Sequence, residues 1–226
     1  MILVTGGTGL VGSHLLYRLV ENGQRVRAIY RSKKKLDVVK HVFSYYTTQA
    51  DEFFSKIEWV VAHLNDIPAL TKAFKGIDKV YHCAALVSFD PNDYYELRKV
   101  NIEGTANIVN LCLANEVKKL CYVSSIAAIG HGEARDNTIN ENTNWIAEED
   151  HNVYAITKYG AELEVWRGVQ EGLNSVIVNP GFIFGPGFWN TSSGSLFRKI
   201  HKGMSYYTTG VSGYVDIHDV IDAMLV

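Results

Sequence analysis

Short apolar, β-branched runs alternate along this chain with longer segments of helical periodicity. Residues 2–5 (ILVT) read as a first strand. Helical spacing follows from Val11 to Glu21, with Leu15, Leu16 and Leu19 on one face and Asn22-Gly23 as a stop signal. Further strands are expected in 25–30 (RVRAIY), 57–64 (IEWVVAHL), 79–85 (KVYHCAA), 119–125 (KLCYVSS) and 175–180 (SVIVNP). Several of these runs are apolar at successive positions, so both faces of the strand must be covered; such strands belong in a parallel sheet between helical layers. The segments at about 67–75, 93–115 and 152–171 read as those helices. The alternation predicts an α/β fold, a doubly wound parallel sheet with helices on both faces. The stretch 33–56 is longer than a simple crossover needs and is aromatic (Phe43, Tyr45, Tyr46, Phe53, Phe54). It is expected to include a helix on the sheet, its rings serving core or dimer packing rather than a ligand.

Composition narrows the class. In 226 residues, 47% are hydrophobic and 20% charged, ordinary for a water-soluble globular chain with a sizeable core. The formal net charge of -2 gives no reason to expect a nucleic-acid or membrane-surface partner, and the Lys33-Lys34-Lys35 run reads as a solvated face. The apolar stretches are strand-sized, too short to span a bilayer, and Met1 leads into a strand with no basic leader. Cys83, Cys112 and Cys121 are odd in number and scattered, which suggests a reducing, cytoplasmic setting. No metal site is expected, because the histidines show no paired ligand spacing.

Chemistry enters where the first strand runs into 5-TGGTGLVG-12. Gly6, Gly9 and Gly12 sit between a strand and a helix. There they allow a tight turn and let backbone N–H groups approach a pyrophosphate at the positive end of the helix. Gly6, Thr8, Gly9, Leu10, Val11 and Gly12 are therefore the candidate phosphate-side residues of a dinucleotide site. The second strand ends in Ile29-Tyr30-Arg31-Ser32, with no carboxylate to take a ribose 2′-hydroxyl. A guanidinium at that place suits a 2′-phosphate. The expected cofactor is NADP(H), with NAD(H) as the alternative.

A tyrosine and a lysine four apart in 154-YAITK-158 occur by chance in many chains, and the spacing alone decides nothing. It gains meaning from an ordered series: the glycine loop, Asp66, 82-HCAA-85, 101-NIEGT-105, 123-VSS-125, 154-YAITK-158, 179-NPGFIFGP-186 and 214-YVDIHDV-220. The series covers nearly the whole chain. It resembles the extended short-chain dehydrogenase/reductase family, which includes nucleotide-sugar epimerases and dehydratases and dihydroflavonol-reductase-like enzymes.

The resemblance implies a Rossmann-type dinucleotide-binding domain over residues 1–180, with Ser125, Tyr154, Lys158 and Asn101 as catalytic residues. Residues 181–226 would begin a substrate-binding part that is largely absent from this chain, since family members run longer. It implies that Asp66 binds the adenine amino group, that Ala84 and Ala85 let the backbone pass close to the cofactor, and that Lys158 also reaches the cofactor ribose. Ser124 is implied as structural or touching the nicotinamide, and Asn179, Pro180 and Phe182 as lying along its face. Ser88, Phe89, His131, Phe182 and the segment 187–194 are the implied substrate-side candidates, with His82 and His218 structural or orienting. Two helices, near 93–115 and 152–171, would carry a homodimer.

Residues four apart share a helix face, so Lys158 is expected beside Tyr154. A free tyrosine has a pKa near ~10, so half-ionisation at neutral pH needs a shift worth roughly 4 kcal/mol. A cation at ~4 Å in an effective dielectric of ~20 supplies about that much before desolvation is counted. The expected activity is NADPH-dependent reduction of a small-molecule carbonyl, of the dihydroflavonol-reductase-like type. A nucleotide-sugar epimerase or dehydratase holding NAD tightly uses the same pair and is the alternative. Ile126 and Ala127, where dehydratases usually add acidic residues, argue against the dehydratase. A non-catalytic dinucleotide sensor is the third reading, and the intact Tyr-Lys pair counts against it.

Overall fold

The computed structural model describes residues 1–130, 138–190, 192–206 and 212–226. Six strands, β1 (Ile2–Thr5), β2 (Val26–Tyr30), β3 (Glu58–Val61), β4 (Lys79–His82), β5 (Lys119–Val123) and β6 (Ser175–Val178), form one sheet in the order β3-β2-β1-β4-β5-β6. All five pairings are parallel. The order reverses between β1 and β4, and a crevice opens there at the carboxyl ends of the strands. A second, two-stranded parallel sheet joins β7 (Phe182–Phe184) to β8 (Tyr214–Asp216).

The alternating side chains of each strand feed two cores, one on each face of the sheet. On one face Ile2, Val4, Cys121 and Val123 meet Leu15, Leu16 and Val20 of α1 (Leu10–Glu21) and Val39 and Phe43 of α2 (Leu36–Phe43). Beyond α2 lies the short α3 (Ala50–Ser55). On the other face Leu3, Leu120 and Tyr122 meet Leu70 of α4 (Ile67–Ala73), and Ile108 and Val109 of the helix before β5. Ala161 and Val165 of the helix before β6 complete that side. This is the doubly wound arrangement expected, and it explains why β1 and β5 have no polar face.

The helix expected over 93–115 is built in three pieces: α5 (Tyr94–Leu97), a π-helical turn at Arg98–Glu103, and α6 (Gly104–Ala114). The helix before β6 is α7 (Val153–Gln170), whose N-cap Asn152 accepts from the Ala155 N–H at 2.9 Å. That cap places Tyr154 in the first turn and Lys158 in the second. In the aromatic stretch, Phe43 is fully buried, and Tyr17 stacks on Tyr46 and Phe53 at 4.4 and 5.5 Å, so these rings pack a core. After β7, α8 (Ser192–His201) leads to β8 and then α9 (Ile217–Leu225). Ile217, Val220, Ile221 and Met224 of α9 return to the core shared with β1 and α1. No described helix is long and apolar enough to cross a membrane.

Candidate functional site

The crevice at the strand ends is walled by Gly6, Thr8, Gly9, Tyr30, Arg31, Lys35, Ala62, His63, Leu64, Ala84 and Ala85, around about 140 Å³ of open space. Gly6 has φ +68°, which favours glycine. Its carbonyl accepts from Gly9 N–H at 2.9 Å and closes the turn. A Cβ on Gly6 would stand 2.6 Å from Ala84 N, and one on Gly12 would stand 2.2 Å from the Gly6 carbonyl oxygen. The loop is thus packed as tightly as backbone allows, and α1 begins at Gly9 with no side chain capping it. Its first N–H groups are left for an outside acceptor. Leu10 and Val11 turn inward onto the core. A dinucleotide's pyrophosphate fits this cradle, with Arg31 and Lys35 at the far end of the crevice.

Asp66 is the N-cap of α4, its Oδ1 accepting from Ala69 N–H at 3.0 Å. The wall at that point is His63 and Leu64, which precede the turn into the helix. Lys33–Lys35 form a single 3₁₀ turn and are exposed, and Lys35 also borders the crevice with Arg31.

The second half of the site lies across β4, β5 and α7. Ser125 follows β5 and accepts from Ala127 N–H at 3.1 Å, and its hydroxyl is near enough to the Tyr154 phenol to act on it. Burial raises the Tyr154 pKa above the usual tyrosine value, and the nearby Ser125 hydroxyl opposes that. Phe89 packs edge-to-face on Tyr154 with ring centroids 5.7 Å apart. Ser88 sits next to it with its hydroxyl donated to Asp93 at 2.6 Å. His131 lies outside the described residues.

Lys158 departs from the simple expectation. It shares the α7 stripe with Tyr154, yet its ammonium donates to Tyr122 Oη at 2.7 Å and to the Val123 carbonyl at 2.9 Å. It is 1% exposed, and desolvation brings its pKa down to about 7, with Glu162 acting in the opposite direction. The ammonium gives its hydrogen bonds to oxygens of β5 directly beneath the helix.

Asn101 is buried in the π-helical turn. Its Oδ1 accepts from Leu86 N–H at 2.8 Å, and its Nδ2 donates to the Leu86 carbonyl at 3.0 Å and to Thr157 Oγ1 at 3.1 Å. It clamps the loop after β4 to α7, and so positions Tyr154 and Lys158 without touching either through these bonds. Ser124 is buried and donates to Glu162 Oε2 at 2.6 Å, away from the crevice. Asn179 Nδ2 donates to that same oxygen at 2.9 Å and to the Ser125 carbonyl at 3.1 Å. The Pro180 carbonyl accepts from Ile126 N–H at 3.0 Å. Together they hold the Ser125 turn. Phe182 is half-exposed at the start of β7, its ring 5.8 Å from that of Tyr214.

His82 is buried between the hydroxyls of Thr5 and Thr105 at 2.6 and 3.0 Å, and burial drives its pKa down to about 3, so it is neutral and structural. His218 lies at the start of α9 with its ring near His14 and Tyr46, at 6.2 and 5.6 Å.

The family model for the NAD dependent epimerase/dehydratase family matches residues 2–226. The chain belongs to that family. A protein of Synechocystis sp. described as a dihydroflavonol 4-reductase is 32% identical over 96% of this chain and 60% of its own length. Cinnamoyl-CoA reductase 1 of Petunia hybrida is 29% identical over 97% of this chain and 66% of its own. Among solved structures, that of gox2253 superposes with a TM-score of 0.84 at 28% identity, over all of this chain and 65% of the other. The chain therefore spans about 60–66% of the length of these family members.

Proposed function

We propose that this protein is an NADPH-dependent reductase of small-molecule carbonyl compounds. The observation that carries the reading is the neighbouring Ser125 and Tyr154 hydroxyls, beside Phe89 at the carboxyl ends of the strands. The relatives named as dihydroflavonol and cinnamoyl-CoA reductases support it. A carbonyl oxygen set on these two hydroxyls receives one hydrogen bond from each. When bound, the dinucleotide supplies the hydride. Tyr154 holds its proton firmly at neutral pH, since its pKa lies above the usual value, and so enters as the acid. It releases that proton to the substrate oxygen as the alcohol forms. Lys158, one turn away on α7, offsets the negative charge then left on the phenol. Residues 1–180 form the nucleotide-binding part in this reading, and 181–226 begin the substrate side. The reduced thiols of Cys83, Cys112 and Cys121 suit a cytoplasmic setting.

The test is NADPH fluorescence followed with a panel of aldehydes, ketones and nucleotide sugars. Net consumption with a carbonyl compound is expected. A nucleotide sugar that changes stereochemistry without net consumption would replace this reading with an epimerase.

The preference for NADP(H) rests on Arg31 and Lys35, which line the crevice where β2 ends without a carboxylate. Losing a charge-assisted contact to a phosphate costs about 1.5–3 kcal/mol, roughly ten- to a hundredfold. Arg31→Ala is expected to weaken NADPH binding by that factor and to leave NADH binding almost unchanged in a titration. Equal losses for both cofactors would remove the 2′-phosphate assignment.

A further inference from the structure

The carboxyl ends of β1, β2 and β3 lie side by side at the crevice, β2 in the middle. Each brings a different group to it. β1 leads into the glycine loop, β2 into Arg31 and Lys35, and β3 into Ala62, His63 and Leu64. Tyr30 is in register with Val61, and the Ala62 N–H donates to the Tyr30 carbonyl at 3.1 Å. His63 therefore leaves β3 one residue beyond the level at which Arg31 leaves β2, and neighbouring strands are only about 4.8 Å apart. A dinucleotide whose pyrophosphate takes the glycine loop and whose adenosine ribose takes Arg31 has its base left for the exit of β3.

The His63 ring is held in one state there. The Asp66 N–H donates to the His63 carbonyl at 2.9 Å and closes a turn. Inside that turn the Asn65 N–H donates to His63 Nδ1 at 3.2 Å. A backbone N–H can only donate, so Nδ1 is the accepting nitrogen and the ring proton sits on Nε2. The turn is also held from the helices behind it. Asn107 Nδ2 donates to the Leu64 carbonyl at 2.9 Å, and Asn65 Nδ2 donates to the Lys99 carbonyl at 3.1 Å. The ring is half-buried in the crevice wall, and its Nε2–H has no partner among the described residues.

We propose that His63 reads the base of the dinucleotide by donating its Nε2–H to a ring nitrogen of adenine. The ring nitrogens of adenine that face outward are acceptors, and its one donor is the exocyclic amino group. A carboxylate can take only the amino group. An imidazole held with its proton on Nε2 takes the ring nitrogens instead, so His63 adds a contact of the opposite polarity to the one the family resemblance implies for Asp66. This role rests on the dinucleotide reading of the crevice, and on neither the carbonyl chemistry nor the 2′-phosphate.

The experiment is isothermal titration of the whole chain with ADP-ribose, which carries the base, ribose and pyrophosphate but no nicotinamide and no 2′-phosphate. His63→Phe keeps a ring and removes the donor. His63→Gln removes the ring and keeps an N–H donor near the place of Nε2. His63→Phe is expected to weaken binding about three- to tenfold, the range of one hydrogen bond, with His63→Gln closer to the parent. The reverse order overturns the donor role and leaves the ring stacking on the base. Equal losses in the two variants, or parental affinity in both, overturn it as well. Should either variant fail to fold, the unaltered protein labelled with ¹⁵N at histidine decides. Its His63 Nε2–H proton is expected to move downfield on addition of ADP-ribose, and an unmoved resonance overturns the assignment. No binding of ADP-ribose to the unaltered protein would overturn the dinucleotide reading, and His63 with it. Carbonyl reduction is not measured, so failure of the reductase reading and failure of the His63 contact give different results.

Discussion

Tyr154→Phe is expected to reduce kcat for carbonyl reduction by about 10²–10⁴, the range that positioned general acids contribute. KM should change little. The substitution removes one hydroxyl, near the Ser125 side chain, and keeps the ring that packs on Phe89. The fold has no reason to respond, because α7 is held by its Asn152 cap and by Ala155, Ala161 and Val165 in the core. Steady-state NADPH consumption separates this from a binding defect: NADPH affinity should be that of the parent protein while turnover is lost. Turnover within a factor of about three of the parent, where an acid effect of at least ~10² is required, would remove Tyr154 from the mechanism.

The second large effect is expected at the glycine loop. In Gly12→Ala the new Cβ would lie 2.2 Å from the Gly6 carbonyl oxygen and 2.7 Å from its carbon. Both are backbone atoms of the turn that Gly9 N–H closes, so relief requires the loop to open. Forcing a methyl group into such a site costs typically about 1–3 kcal/mol, and the upper end applies where backbone must move. For a chain of this size that is a fall in Tm of roughly 6–12 °C. Nucleotide binding should fall by at least ~100-fold, since the N–H groups at the start of α1 lose their alignment. Thermal unfolding with and without nucleotide measures both. A variant with the parent's Tm and with nucleotide still stabilising it would show that the tight approach of α1 to the loop is dispensable.

Much of this was readable from local pattern. Parallel strands buried on both faces need unbroken apolar runs, and those runs mark β1, β2, β4 and β5 to within a few residues. The glycines, the serine pair and the Tyr-Lys pair are legible for a related reason. Each sits at a strand end or on one helix face, where sequence spacing maps directly onto space. The surroundings of other residues could not be read in this way. In 62-AHLND-66 nothing local says that His63 and Leu64 turn to the crevice while Asp66 caps the next helix. Lys35 looks like its two neighbours until the 3₁₀ turn separates them. Asn101 sits in a helical segment with a polar neighbourhood. Only the approach of Leu86 and Thr157, 15 and 56 residues away in sequence, uses up its amide.

The sequence by itself determined the class of fold, the order of its elements, and the residues that face the end of the sheet where β1 and β4 diverge. Those follow from periodicities of two and 3.6 and from where glycine is required, which are properties of neighbouring residues. The tertiary structure decided how the buried charges are held. Lys158 could have pointed to Tyr154, as the spacing of four allows. Instead it meets Tyr122, 36 residues earlier, and Glu162 meets Ser124, 38 residues earlier. A buried ion takes whichever oxygens the packed helix and strand bring within about 3 Å, and that choice exists only once α7 lies on β5.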